Sequence, residues 1–416
     1  MRVAIIGSGI SGLTCAYSLS GVHDITLFEK GDRLGGHTHT VEVSHEGRVH
    51  CVDTGFIVFN RRNYPNFCRL LDQLGVASRP TTMSFSVRDD YHDFEYGGSS
   101  AAGLIGGWSN LVRPRWWGVM RGVARLGSVG QALLRECGDD VTIQDLCDSG
   151  RFSSAFLDGY LIPMAAAIWS APRERLMRFP AKFFLRFFDN HGMLDLRRRP
   201  EWRTVVGGSR TYIDAMLKVI GPAVRVNRPV LSITRDAGGV LVRTAGTESR
   251  FDHVVLAAHA DESLKLLAEP TPAEREVLRE IPYQGNDVVL HTDASLLPRR
   301  RRCWAAWNYR VSSDPARPAV VTYNMTMLQG LETRTPLCVT LNAAERIDPA
   351  RVIRRFSYAH PIYTLAGDRA RARWSEISGV DRTHFCGAYW GNGFHEDGVV
   401  SALRVCAMLG GREVLP

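Results

Sequence analysis

Short apolar runs alternate with helical patterns at the start of the chain, as is typical of an α/β fold. Residues 3–6 are four consecutive apolar side chains and predict a strand that is buried on both faces of a parallel sheet. A helical stretch follows, and residues 25–28 and 254–258 predict two more buried strands. The pattern therefore predicts a Rossmann-like domain whose sheet is assembled from distant parts of the chain.

The middle of the chain has a different pattern. Residues 76–199 form helical stretches that are rich in aromatic side chains, and residues 161–169 carry no charge. Strand-like runs return within residues 259–350, so the two segments together predict an α+β substrate-binding domain with an apolar pocket. The alternative is an ordinary helical core, which buries the same aromatic residues without forming a pocket.

Two further patterns mark the second half of the chain. Residues 236–239 are turn formers between two strand-like runs and predict a β-hairpin. Residues 385–390 predict a strand, and a helix is predicted from about Gly398 to Leu409.

Composition limits the classes of function. A chain of 416 residues with 45% hydrophobic and 23% charged residues predicts a globular protein of two domains. The net charge is +8, but no basic run is interleaved with stacking aromatic residues, so we expect no nucleic-acid partner. The nine cysteines form no CxxC pair, which predicts reduced thiols in a cytoplasmic protein. We expect neither a signal peptide before Val3 nor a membrane-spanning helix.

The turn after the first strand carries a dinucleotide-binding fingerprint. Gly7 allows the tight turn, Gly9 lets the backbone approach a pyrophosphate, and Gly12 lets the helix pack on the strand. The anion would bind the free N–H groups at the helix start, near Ser8 and Ser11.

An acidic residue and a second glycine-rich loop follow the next predicted strand. Glu29 ends that strand, where a ribose hydroxyl needs an acceptor, and Lys30 comes directly after it. Arg33, Gly35 and Gly36 offer a guanidinium and bare backbone N–H groups, which suit a second phosphate or a ribityl chain.

These motifs together resemble the flavin-containing amine oxidoreductase superfamily, which includes monoamine oxidases, phytoene desaturases and protoporphyrinogen oxidases. The resemblance rests on the fingerprint glycines, Glu29, residues 33–36, residues 52–55 and the C-terminal stretch from Gly387 to Ala402. It implies an FAD-binding domain built from residues 1–75, 200–258 and 351–416, and a substrate-binding domain built from residues 76–199 and 259–350.

The resemblance also implies which residues bind FAD. Val230 would contact adenine through its backbone, and the helix start at Gly398 and Val399 would face the flavin. The residues implied to contact the cofactor are Gly7, Ser8, Gly9, Ser11, Gly12, Glu29, Lys30, Arg33, Gly35, Gly36, His37, Thr54, Gly55, Phe56, Val230, Gly387, Gly398 and Val399.

Two departures from the superfamily affect the expected chemistry. The lysine that amine oxidases place over flavin N5 would fall near Asn286, where this chain has none. The cysteine that tethers flavin in monoamine oxidases would fall within residues 357–363, which contain no cysteine. We therefore expect non-covalent FAD.

A narrower resemblance concerns the substrate. Residues 36–40, 358–361 and 389–398 are similar to a bacterial branch of the superfamily that accompanies cyclopropane-fatty-acyl synthase-like methyltransferases. That resemblance implies an unsaturated or methyl-branched fatty acyl chain as substrate.

Three side chains are candidates for acid–base chemistry. His395 is the first, because it lies three residues before Gly398 and an imidazole can titrate near neutral pH. His360 and Tyr358 are the second candidates. Each of the three has a purely structural alternative. A metal site at His395, Glu396 and Asp397 is not favoured, because adjacent positions rarely converge on one ion and Asp397 suits a helix cap.

Residues 113–125 predict a basic amphipathic helix. Pro114 suits its first turn, Trp116 and Trp117 would lie on one face, and Arg121 would lie on the other. Such a helix can lie on an anionic membrane surface at the inner face of the membrane, or it can cover the pocket as a structural element.

The sequence thus predicts an FAD-dependent oxidoreductase that dehydrogenates, or desaturates, a hydrophobic substrate by hydride transfer to flavin N5. The alternatives are a flavin amine oxidase, a flavin-dependent double-bond isomerase and a non-enzymatic flavin-binding module. The oligomeric state is left open.

Overall fold

The computed structural model describes residues 1–194, 199–311 and 319–411. Its centre is a sheet of five strands that all run parallel. The order across the sheet is Val224–Arg225, Asp24–Phe28, Arg2–Ile6, His253–Leu256 and Thr383–Phe385.

Both faces of this sheet are covered, which explains the unbroken apolar run of its first strand. Val3 and Ile5 face the helices Ile10–Leu19 and His395–Met408. Ala4 and Ile6 face the opposite layer, because successive side chains of a strand point to opposite faces. That layer is an antiparallel sheet made of Val230–Asp236, Gly239–Thr244 and Thr247–Phe251. The predicted hairpin is present, since Asp236 pairs with Gly239 across its turn.

A second sheet of seven strands carries the other part of the molecule. Six strand pairs join it, and all are antiparallel except the pair between Trp307–Arg310 and Phe85–Asp89. The order across it is Val352–Pro361, Tyr283–His291, Cys338–Leu341, Val320–Asn324, Trp307–Arg310, Phe85–Asp89 and Phe94–Gly97. The boundary predicted at residue 351 therefore lies too early, because the strand Val352–Pro361 hydrogen-bonds to Tyr283–His291.

Shorter strands connect the two parts. Thr40–His45 pairs with Arg48–Asp53, and Trp202–Val205 pairs with both Phe59–Asn60 and Ser78–Pro80. The predicted strand over residues 385–390 is shorter than expected, since it ends at Phe385 and a single helical turn follows.

Helices fill the remaining layers. The one predicted at Pro114 is the longest and runs to Glu136. The α-helices are Ile10–Leu19, Pro65–Gln73, Ala101–Ile105, Trp108–Leu111, Pro114–Glu136, Ile143–Asp148, Ser154–Phe156, Ile162–Trp169, Arg173–Met177, Ala181–Asn190, Arg210–Ile220, Ala260–Leu266, Pro272–Arg279, Met325–Leu328, Leu365–Ala372, Trp374–Ile377 and His395–Met408. Within the described ranges no helix is both long and apolar enough to cross a bilayer.

Candidate functional site

A large, continuous cavity runs from the parallel sheet to the seven-stranded sheet. Its volume is about 1660 Å³, which exceeds the usual size of a site for one drug-sized ligand. One end lies at the carboxyl ends of Arg2–Ile6 and Asp24–Phe28, where ligands of open α/β sheets bind. We call this the nucleotide end, and the part bounded by the seven-stranded sheet and the helices the distal end.

The glycine-rich turn lies at the nucleotide end. Gly7 has a φ of +102°, and a Cβ there would lie 2.9 Å from the Ala257 carbonyl oxygen. A Cβ on Gly12 would overlap the Gly7 carbonyl oxygen, so Gly12 packs the helix on the strand and does not line the cavity. A Cβ on Gly9 would meet nothing within 4 Å. Gly9 therefore leaves open the space that a pyrophosphate would need, and Ser11 lines the same space.

Glu29 hydrogen-bonds to the glycine-rich turn from the end of the neighbouring strand. Its carboxylate accepts hydrogen bonds from the Ser8 N–H at 3.0 Å, the Ser8 hydroxyl at 2.5 Å and the Gly31 N–H at 2.8 Å. Lys30 forms an ion pair with Glu262 at 2.5 Å on the adjacent wall. Val230 lines this end too. The carboxylate thus faces the cavity beside the turn, where it suits a ribose hydroxyl.

The second glycine-rich loop is attached to the first. The Gly35 N–H donates to the Ser8 carbonyl oxygen at 2.9 Å, and a Cβ on Gly36 would lie 3.2 Å from the Gly9 Cα. Arg33 donates to the carbonyl oxygen of Gly36 at 2.8 Å, which holds the guanidinium against this loop. Both loops therefore present backbone to the same part of the cavity.

His37 lies in the wall beyond this loop with an unused polar atom. Its Nε2 is buried and has no hydrogen-bond partner. Burial lowers the pKa of His37 well below its usual value, and the neighbouring His360 and His259 lower it further. An unsatisfied buried nitrogen is costly, so this atom fits a polar group of a bound cofactor. The open space at Gly9, the Glu29 carboxylate and this nitrogen are together compatible with FAD.

His395 begins the C-terminal helix, so that helix starts three residues earlier than predicted. The His395 Nε2 lies 2.9 Å from the Thr38 hydroxyl and 3.2 Å from the Tyr212 hydroxyl. Its ring stacks on Phe56 at a centroid distance of 3.5 Å. Burial lowers the pKa of His395 to about 3, so the expected titration near neutral pH is wrong for this environment.

Gly398 and Val399, which were expected to face the flavin, do not lie in the cavity wall. A Cβ on Gly398 would lie 2.6 Å from the Ile10 side chain, and Val399 is buried in the core, so neither lines the cavity. Gly387 and His395 do line it. The difference arises because the unsatisfied N–H groups of a helix belong to its first turn, which begins at His395.

Both acidic residues beside His395 have structural partners. Glu396 accepts from the N–H groups of Asn66 at 3.1 Å and Phe67 at 2.9 Å, which caps the helix Pro65–Gln73. Asp397 accepts from the Phe394 N–H at 2.9 Å within its own helix start. Across the part of the chain that the structure describes, no three His, Cys, Asp or Glu side chains are grouped as metal ligands.

Tyr358 and His360 lie in the wall on the strand Val352–Pro361. The Tyr358 hydroxyl lies 2.7 Å from the Thr54 hydroxyl and 2.8 Å from His39 Nδ1. Burial raises the pKa of Tyr358 and lowers that of His360 to about 4. The His360 ring lies 5.3 Å from the His37 ring. Thr54 and Gly55 complete this wall.

Sequence reasoning missed several residues of the site. Thr38 and Tyr212 bind the His395 imidazole, and His259 lines the cavity with its ring stacked on Tyr283 at 4.1 Å. Two of them had a local signal, because His259 follows the buried strand over residues 254–258 and Thr38 lies in the motif of residues 36–40. The contact of the two hydroxyl groups with His395 becomes visible only when distant segments pack together.

The distal end is aromatic and apolar. Among the described lining residues, the acidic ones are Glu29, Asp32, Glu201 and Glu262, of which three lie at the nucleotide end and Glu201 is exposed. The part of the distal walls that the structure describes therefore carries no buried carboxylate. Those walls include Met83, Phe85, Tyr96, Met120, Val123, Tyr160, Met164, Ile168, Trp169, Phe187, Met193, Trp307 and Tyr323.

The predicted amphipathic helix contributes to this end of the cavity. Trp116 is buried against Phe94 and Tyr96, whereas Trp117 is 44% exposed. Met120 and Val123 line the cavity. The expectation that Trp116 and Trp117 share one face of the helix is therefore wrong, because their side chains are about 100° apart around the helix.

Comparisons with known proteins show what the chain as a whole is similar to. Dog flavin-containing amine oxidase A is 24% identical over 301 residues, which are 67% of this chain and 54% of that protein. Tryptophan 2-monooxygenase of Pantoea agglomerans pv. gypsophilae is 70% identical over 37 residues, only 8% of this chain and 7% of that protein. The chain thus matches about half the length of the dog protein.

Two solved structures have the same fold. Putrescine oxidase bound to putrescine has a TM-score of 0.71 at 16% identity, and the match covers 98% of this chain and 99% of that one. A CLA-producing fatty acid isomerase from P. acnes has a TM-score of 0.68 at 18% identity, with 98% of both chains covered. The profile of flavin-containing amine oxidoreductases matches residues 10–302, more than half of the sequence. The chain therefore belongs to the flavin-containing amine oxidoreductase family.

Proposed function

We propose that this protein is an FAD-dependent oxidoreductase that dehydrogenates a hydrophobic fatty acyl chain. The observation that carries the proposal is the composition of the distal walls, which are aromatic and apolar and contain no buried carboxylate among the described lining residues. An ammonium substrate without a buried counter-ion would lose its hydration without compensation, whereas an acyl chain needs only apolar contact. The resemblance to the bacterial branch described above implies an unsaturated or methyl-branched acyl chain, which belongs to the same substrate class.

The residues at the nucleotide end support FAD as a non-covalently held cofactor. Gly9 and Ser11 would bind the pyrophosphate, Glu29 would accept from the ribose, and the loop of Gly35 and Gly36 would follow the chain toward the ring. The chemistry that bound FAD supplies is the acceptance of a hydride at flavin N5. Desaturation also needs a group that accepts a proton from the adjacent carbon.

His395 is our first candidate for that proton acceptor. It lines the cavity and, with a pKa of about 3, is unprotonated and able to accept throughout the physiological range. The hydroxyls of Thr38 and Tyr212 at its Nε2 supply a hydrogen-bonded route for the proton. His360 and Tyr358 also line the cavity and are the second candidates for acid–base chemistry.

Anaerobic reduction of the bound flavin tests the substrate class. We expect loss of the oxidised flavin absorbance with free fatty acids or phospholipids that carry unsaturated or methyl-branched chains, and no loss with primary or secondary amines. Ile168→Gln in the distal wall should raise the KM for the acyl substrate, whereas Leu231→Gln, at an exposed position, should not. Reduction by amines alone would overturn the proposal in favour of an amine oxidase.

The second candidate is a redox-neutral double-bond isomerase. The absence of a lysine near Asn286 favours it over an amine oxidase, because amine oxidases place a lysine over flavin N5. The apolar walls suit both reactions equally. Mass spectrometry of the product separates them, since desaturation removes two hydrogens from the chain and isomerisation leaves its mass unchanged.

We also propose that the cavity takes its substrate from an anionic membrane surface. Residues 96–135 contain five arginines and no Asp or Glu. Within this stretch, the apolar side chains of Leu104, Trp108, Val112 and Trp117 are exposed, and we call these four the apolar patch. Leu104 also lines the cavity, so the patch reaches the cavity opening.

Charge supports a lipid surface as the partner of this patch. Arg121 lies over the Trp117 ring at 6.0 Å, and Arg125 is exposed one turn further along the helix. Arginine charge combined with tryptophan side chains is the combination that binds interfacial helices to anionic lipid. We place the protein at the inner membrane face on this basis.

A further inference from the structure

Two amide side chains, the buried Asn286 and the half-buried Asn342, connect the backbone to His360 in the cavity wall. Asn342 accepts from the Asp287 N–H at 3.2 Å through Oδ1, and its Nδ2 donates to the Ala319 carbonyl oxygen at 3.2 Å. A backbone N–H can only donate and a carbonyl oxygen can only accept. These two backbone groups therefore determine which way the Asn342 amide is oriented.

That orientation determines the next amide. Asn342 Nδ2 also donates to Asn286 Oδ1 at 2.9 Å, so the Nδ2 of Asn286 points the other way. There it lies 3.3 Å from the Gln284 carbonyl oxygen and 3.3 Å from His360 Nδ1. An amide nitrogen can only donate, so His360 Nδ1 has to accept and cannot carry a proton.

We propose that Asn286 and Asn342 hold His360 as the neutral tautomer with its proton on Nε2, so that His360 presents a hydrogen-bond donor to the cavity. Both asparagines are then positioning residues for His360. The purpose of the donor rests on the proposed function, since it would orient a hydrogen-bond acceptor of the substrate or of the flavin. The tautomer itself follows from the amide chain alone.

The surroundings of His360 agree with a neutral ring. The titratable groups that face it are His37 and His259 from the loops, and Tyr358 two residues earlier on the same strand. No described carboxylate contacts the imidazole in a hydrogen bond or an ion pair. Burial lowers the pKa of His360 to about 4, and His259 contributes to this, so the ring stays neutral above about pH 5.

Nitrogen NMR of the FAD-loaded protein with 15N-labelled histidine tests the tautomer directly. We expect the His360 resonances, identified by their loss in His360→Gln, to show the proton on Nε2 and no titration between pH 5 and 9. Asn286→Asp replaces the donating NH2 by an accepting carboxylate. It should move the proton to Nδ1 and raise the pKa of His360 into that range.

Asn324→Asp is the matched control, because Asn324 is equally buried but caps the helix Met325–Leu328 instead of contacting His360. It should leave the His360 resonances unchanged. A wild-type protein with its proton on Nδ1 would overturn the inference, and so would an Asn286→Asp protein whose tautomer is unaltered. No substrate is present in this experiment, so its outcome is independent of the acyl-chain proposal.

Discussion

Among single residues, His395 combines a proposed chemical role with an unusual environment. Burial lowers the pKa of its imidazole to about 3. The accepting form is therefore present above that value and is lost only as the pH falls through it. We expect the rate of flavin reduction by substrate to show no inflection from His395 between pH 5 and 9, measured by stopped-flow absorbance. The contradicting outcome is a rate that declines below about pH 6.5 in the wild type and declines in the same way in His395→Asn. The base would then be a residue other than His395.

Replacement of the same side chain tests whether it accepts the proton. His395→Asn should keep bound FAD and slow flavin reduction by about 10²- to 10⁴-fold, the usual size of a general-base contribution. His45→Asn, at the turn of the hairpin formed by Thr40–His45 and Arg48–Asp53 and outside the cavity lining, is the control and should react at the wild-type rate. A His395→Asn protein that retains FAD and reacts at full speed would make His395 purely structural.

At the scale of secondary-structure elements, two glycines at the start of the first helix have different roles. Gly9 is expected to affect FAD binding, and Gly12 is expected to affect stability. Gly9→Ala places a methyl group in open cavity space, so the free energy of unfolding should change by less than about 0.5 kcal/mol. FAD affinity should fall by about tenfold or more, because the methyl group occupies the space assigned to the pyrophosphate. Titration with FAD monitored by flavin fluorescence measures this.

Gly12→Ala is the counterpart in the same helix. Its methyl group would overlap the Gly7 carbonyl oxygen, so the substitution should lower the free energy of unfolding. Any loss of FAD binding would follow from that loss of stability. Thermal unfolding of both variants distinguishes the two roles. Equal loss of stability in Gly9→Ala and Gly12→Ala would contradict the assignment of Gly9 to the cofactor.

The apolar patch belongs to the same scale, because two short helices and one long helix form it. The protein should sediment with anionic liposomes at low salt and dissociate as the salt concentration rises, since arginine charge contributes to the contact. Trp108→Ser combined with Trp117→Ser should weaken sedimentation, whereas Leu231→Ser at an exposed site far along the chain should not. A wild-type protein that stays in solution, or a patch that instead mediates self-association, would remove the membrane proposal.

For the whole molecule, the cavity joins the parallel sheet to the seven-stranded sheet, so cofactor binding should tighten the association of both parts. The purified protein should be yellow and release its flavin into the supernatant on acid precipitation, because residues 357–363 hold no cysteine that could tether it. Added FAD should also raise the Tm of the protein stripped of flavin. Flavin that stays with the precipitate would exclude non-covalent binding.

The sequence alone determined what depends on local chemistry. The run of residues 3–6, the glycines of the following turn and Glu29 predicted the parallel sheet and the nucleotide end, because each requirement is met by residues close together in the chain. The start of the long helix at Pro114 was predicted for the same reason. Family membership followed from the order of these local motifs and is confirmed by the matching profile.

Only the tertiary structure decided what depends on packing between distant segments. The strand Val352–Pro361 joined the second sheet through hydrogen bonds to Tyr283–His291, which local patterning cannot specify. Trp116 became buried because Phe94 and Tyr96 pack against one side of its helix. The pKa of His395 is low because residues far away in the sequence, Thr38 and Tyr212 among them, enclose the imidazole. Burial and hydrogen-bond partners are properties of the assembled core, so composition and spacing cannot reveal them.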